Sequence, residues 1–198
     1  MKRAAIGVRV HSGWSVLVAV SDHAGSPEII ERKHITIIDP TAAGTKQPYH
    51  FAEKLTIPKA EKHISDCAAA SERFAVAAID GTLKELGARG YRIASCALLL
   101  ASGRALPALP KILASHALIH TAEGEFFRAA VCSAFERLGI RVHGFRERDL
   151  NEQAASVWGD TAPQVLQQLS RFGRVIGPPW TADEKNAALA AWMALNRK

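Results

Sequence analysis

A chain of 198 residues suits one domain of ordinary size, or one domain plus a small helical appendage. With 48% hydrophobic and 22% charged residues it has the material for a core and does not read as a disordered polymer. The net charge of +6 (25 Lys+Arg against 19 Asp+Glu) admits a polyanionic partner, but the cations are spread along the chain and form no Lys/Arg-rich tail.

No apolar run approaches the ~20 residues that a membrane span needs. The start, Met1-Lys2-Arg3, precedes an apolar stretch interrupted by Arg9 and His11, which lacks the unbroken centre of a signal peptide. Cys67, Cys96 and Cys132 are far apart and each has apolar neighbours. They read as buried free thiols, so a cytoplasmic, reducing compartment is expected.

The first third reads as strands. Residues 4–10 are compact and apolar, His11-Ser12-Gly13 is turn-forming, and residues 14–20 are apolar and β-branched. A second turn over 21–27 leads to a third strand ending at Ile38, giving an antiparallel meander over 1–38. Residues 39–56 hold Pro40, Gly44 and Pro48 without a period and are expected to form a loop. From Pro58, apolar residues recur at helical spacing (Ile64, Cys67, Ser71, Ala75, Ile79, Leu86) until Gly87 and Gly90 stop the helix. Residues 93–100 show no polar alternation and read as a central parallel strand buried on both faces.

A turn-rich loop over 102–110 follows, then a short helix over 111–117 and a longer one over 121–138. Gly139 ends that helix, and 140–145 is a fifth strand. The last quarter, 149–198, is helical. Asp149/Glu152, Thr161/Gln164 and Thr181/Glu184 each have the spacing of a capping box. Alternating helix and strand over 57–145 completes one domain, 1–198: an α/β fold with a five-stranded mixed sheet and helices on both faces.

Two stretches point to a family. The run Ala5-Ile6-Gly7-Val8-Arg9-Val10-His11-Ser12-Gly13-Trp14 resembles the first hairpin of RuvC-type resolvases, and 183–192, an acid before an Ala/Leu-rich face, resembles their last helix. With the element order, this resembles the ribonuclease-H-like superfamily in its RuvC-like branch, including bacterial proteins of that fold. The resemblance implies metal-dependent phosphodiester cleavage, with carboxylates from separate elements converging on two divalent cations, Mg²⁺ or Mn²⁺, about 4 Å apart. Its first carboxylate belongs on the first strand, where this chain has Val8, Arg9 and Val10. Its last-helix acid matches Asp183, or the position falls on neutral Asn186.

Other residues are candidates on chemistry. His116 and His120 share a face if their segment is one helix, with Glu123 near it and Glu125 beyond, a pattern that suits a metal. Helix capping by Glu123 and Glu125 in a first turn after Thr121 is the other reading. Ser102-Gly103-Arg104 leaves the central strand, and amides in a Gly loop beside an Arg can hold an anion. Arg9 and His11 can hold a phosphate or carboxylate, and Glu147 is either a site carboxylate or part of an exposed ion-pair cluster. There is no Walker loop, Gly-x-Gly-x-x-Gly run or nucleophile elbow.

The sequence therefore supports a ribonuclease-H-like domain lacking the usual nuclease carboxylate set, binding an anionic ligand or nucleic acid through Arg9, His11, Arg104, His116 and His120. The alternative is a divalent-metal-dependent nuclease or phosphoesterase with a displaced set, Glu123, Glu125, Glu147 and Asp183, helped by His116 or His120. A protein-interaction module working through 39–56 or the helical last quarter is the third reading.

Overall fold

A computed structural model describes residues 1–101, 103 and 105–197. Strands β1 (Lys2–His11), β2 (Trp14–His23) and β3 (Ser26–Thr36) form the meander. β4 (Tyr91–Leu100) and β5 (Val142–Arg146) complete the sheet in the order β3-β2-β1-β4-β5. β1 pairs antiparallel with β2 and parallel with β4, and β4 pairs parallel with β5. This is the mixed sheet expected from the sequence.

The pleat sends alternate residues of β1 into two cores. Ala4, Ile6 and Val8 pack with Ile79 and Leu86 of α2 (Ile57–Ala88) and with Phe127, Val131 and Phe135 of α4 (His116–Arg137). Ala5 faces the other way, into the core built by α7 (Ala182–Asn196), with Val18, Leu99 and Phe145 from the sheet. α5 (Leu150–Trp158) and α6 (Ala162–Ile176) cover α7.

α7 lies close to the sheet because both surfaces are small. Every residue from Ala187 to Leu195 is buried, and five of those nine are alanine. A Cβ built on Gly7 would sit 2.6 Å from the carbonyl carbon of Ala187, so glycine here permits backbone-to-backbone approach. Thr181 and Glu184 make the expected capping box. Asp183 N–H donates to Thr181 Oγ1 (3.2 Å), and Glu184 Oε2 accepts from Thr181 N–H (2.7 Å).

The other two capping expectations do not hold. Asp149 and Thr161 cap nothing with their side chains, because 3₁₀ turns at Glu147–Asp149 and Gly159–Thr161 run directly into α5 and α6. The expected loop over 39–56 contains a short helix, α1 (Pro48–Ala52), too brief to show a hydrophobic period. The expected helix start at Thr121 is also displaced. α3 (Leu109–Leu113) ends early and α4 begins at His116, with the Thr121 hydroxyl donating back to Ala117 O (3.0 Å) inside the helix.

Candidate functional site

The C-terminal ends of the parallel strands and the N-terminus of α7 meet at one place. Arg9 and His11, two apart on β1, project to the α7 side. Glu147 follows the last residue of β5, and Asp183 and Asn186 lie in the first turns of α7. Arg9 bridges the two carboxylates, with Nε 2.9 Å from Glu147 Oε1 and one terminal nitrogen 3.1 Å from Asp183 Oδ1. His11 Nε2 lies 2.7 Å from Asp183 Oδ2, and the Asn186 amide donates to Glu147 Oε1 (3.1 Å).

The His11 ring lies flat on Trp14, with centroids 4.2 Å apart and planes 4° from parallel. Trp14 in turn meets His34, which approaches Glu184. The imidazole is thus fixed on its face by stacking and at its edge by a carboxylate.

Charge follows geometry. Burial alone raises the Glu147 carboxyl, but the hydrogen bond and charge of Arg9, the Asn186 amide and the charge of His11 bring it below its ordinary value. The Arg9 guanidinium is disfavoured by burial, yet its two carboxylate partners hold it above its ordinary value. One guanidinium and one imidazole therefore face two carboxylates. The cations expected to hold an anion here are engaged with the chain's own acids.

A second group forms on the opposite face of the sheet. His116 and His120 share one side of the continuous α4, as their spacing allows, and His50 of α1 reaches them. The ring centroids are 5.4 Å (His50–His116), 4.8 Å (His50–His120) and 4.4 Å (His116–His120) apart. Glu123, 2% exposed, does not cap its own helix. Its Oε1 accepts from Tyr49 N–H and His50 N–H (3.1 Å each), capping α1, and also lies 3.0 Å from His50 Nδ1.

Of the residues singled out in the sequence, Arg9, His11, Glu147 and Asp183 come together, and so do His116, His120 and Glu123. No ion pair joins the two groups among the described residues. Glu125 belongs to neither and pairs with Arg128 one turn on (2.8 Å). Ser102 and Arg104 of the proposed anion loop lie outside the described residues. His50 was not foreseen. The one signal for it was Pro48, a residue that suits the first turn of a helix.

No protein-family model matches the chain, and no curated protein does. The similarity is structural. A Thermus thermophilus RuvC in complex with Holliday junction substrate superposes with a TM-score of 0.51 at 12% identity, over 97% of this chain and 93% of that one. A second Thermus thermophilus RuvC structure gives 0.50 at 13% identity with the same coverage. At such identity the likeness establishes the ribonuclease-H-like, RuvC-like fold. No helix among the described residues is long and apolar enough to cross a membrane.

Proposed function

We propose that this chain is a nucleic-acid-binding domain of the ribonuclease-H-like fold, whose central site is closed by its own ion pairs and does not assemble a metal-dependent nuclease centre. The observation that carries this is Arg9, whose guanidinium bridges Glu147 and Asp183. A divalent-metal centre needs carboxylate oxygens turned toward a shared cation. Here a fixed positive charge on β1 stands between the two acids, His11 takes the second oxygen of Asp183, and Asn186 is a neutral amide. The residues present do not fit a pair of Mg²⁺ or Mn²⁺ ions.

Nucleic acid is the ligand favoured by the fold and the charge together. The RuvC of the same fold holds a Holliday junction, and this chain carries a net charge of +6. Arg146 and Arg148, both exposed, flank the ion-paired centre at the end of β5. Contacts through such residues neutralise phosphates without reading bases, which gives salt-dependent, weakly sequence-selective binding.

Fluorescence anisotropy with labelled four-way junction, duplex and single-stranded DNA across a salt series tests this. Binding should fall linearly in a log–log plot against salt. The double variant R146E/R148E should bind at least about tenfold more weakly at 100 mM salt, and no DNA should be cut with Mg²⁺ or Mn²⁺. Absence of binding at 50 mM salt would overturn the nucleic-acid reading. Metal-dependent cleavage abolished by Asp183→Asn would overturn the closed-centre reading.

A further inference from the structure

The histidine group between α1 and α4 shares no residue with the Arg9 centre and lies against the other face of the sheet. One nitrogen each from His50, His116 and His120 falls within 4.8 Å of the other two. His116 and His120 are exposed and can turn about their side-chain bonds, whereas His50 is held. What holds it is Glu123, whose carboxylate is buried, carries no Lys or Arg partner among the described salt bridges, and meets two amide N–H groups of α1 and the His50 ring.

An ionised carboxylate only accepts hydrogen bonds. With Glu123 accepting from His50 Nδ1, the ring proton sits there and Nε2 is the nitrogen that carries the free lone pair. A carboxylate bonded to the far nitrogen of an imidazole is the usual outer-shell support of a metal-binding histidine, setting its tautomer and raising its basicity.

We propose that His50, His116 and His120 form a three-histidine site for a borderline-soft divalent transition cation of the Zn²⁺ class, with Glu123 as a positioning residue. Neutral imidazoles suit Zn²⁺, Co²⁺, Ni²⁺ or Cu²⁺ and not the hard, oxygen-seeking Mg²⁺ or Ca²⁺. Nitrogens bound to tetrahedral zinc at about 2.0–2.1 Å lie roughly 3.4 Å from one another. The trio must close by up to about 1.4 Å, a shift for which the two exposed rings can rotate. Three protein ligands leave a fourth position open to solvent. The ion would tie α1, and with it the segment before α2, to α4.

The test uses the full chain, without a polyhistidine tag and stripped of metal, titrated with Zn²⁺ by calorimetry and with Co²⁺ by visible absorption. One equivalent of Zn²⁺ should bind, with the intense visible bands of tetrahedral Co²⁺ and a rise in thermal stability on loading. His50→Ala and His120→Ala should each weaken binding by at least about 100-fold, and Glu123→Gln by about 10- to 100-fold with the Co²⁺ bands retained. His120 is exposed, so its variant should fold normally by circular dichroism. No stoichiometric binding by the unaltered chain would overturn the proposal. Zn²⁺ affinity unchanged by His50→Ala would do so too, since it would mean that His116 and His120 act as an ordinary helical pair.

Discussion

Replacing Gly7 with alanine tests the packing that brings α7 to its place. A Cβ there would lie 2.6 Å from the Ala187 carbonyl carbon and 3.1 Å from its Cα. The Ala187 carbonyl oxygen would lie nearer still, and relaxed carbon–carbon contacts lie at about 3.5–4.0 Å, so the helix and β1 must separate by more than about 1 Å. Backbone cannot step aside as a flexible side chain can, and α7 is buried from Ala187 to Leu195. Overpacking typically costs 1–3 kcal/mol, and this site should fall at the upper end, about 3 kcal/mol. For a chain of this size that is a fall in Tm of about 6–12 °C. Gly81, in the middle of α2 with nothing within 4 Å of a built Cβ, is the internal control. There the same substitution should stabilise by about 0.5–1 kcal/mol through helix propensity. Thermal unfolding followed by circular dichroism reads both. A Gly7→Ala variant within 2 °C of the parent would refute the close approach and, with it, the argument for how Asp183 and Asn186 reach Arg9.

Further predictions concern the polar groups. Glu147 has its carboxyl held below the ordinary 4.5, so its contribution to stability is present above that value and is lost as pH falls through the depressed one. Arg9→Met should therefore cost only about 0.5 kcal/mol at pH 7, given that the Glu147 side chain is 35% exposed and screened, and the difference should shrink in acid unfolding as pH falls below 4.5; a difference independent of pH would contradict the pairing. Glu184→Ala should cost about 1–2 kcal/mol in urea denaturation, because it removes the acceptor of both the Thr181 N–H and the Thr181 O–H at the start of α7 while the hydroxyl oxygen still accepts from Asp183 N–H. Glu123→Ala should speed amide hydrogen exchange at Tyr49 and His50 by more than tenfold while leaving β1 and β4 amides unchanged; uniform protection would show that α1 does not depend on that carboxylate.

The sheet was legible because its strands carry strong local signals. The 93–100 run, with no polar alternation, reads as a central strand, and the meander was bounded by turn residues at Gly13 and Gly25, both of which adopt positive φ. The cation at position 9 was legible too, as were Asp183 and Glu147 as nearby acids. Their meaning was not, because the pairing of Arg9 with Glu147 spans 138 residues and no local pattern encodes it. His50 was hidden for a related reason. Five residues of helix make no periodic signature, and α1 is capped by Glu123, 73 residues away, in place of a neighbour. The capping-box spacing succeeded only at Thr181, where an extended N-cap precedes the helix; at Asp149 and Thr161 the chain was already turning.

The closed centre is tested most directly by calorimetric titration of Mg²⁺, a cation that histidines do not compete for, into the unaltered chain and into Arg9→Asp. The account predicts no Mg²⁺ binding by the unaltered chain. It predicts binding by Arg9→Asp that is lost again when Glu147→Gln is added, because three carboxylates then face one another where Arg9 had bridged two. Mg²⁺ binding by the unaltered chain, abolished by Asp183→Asn, would contradict it.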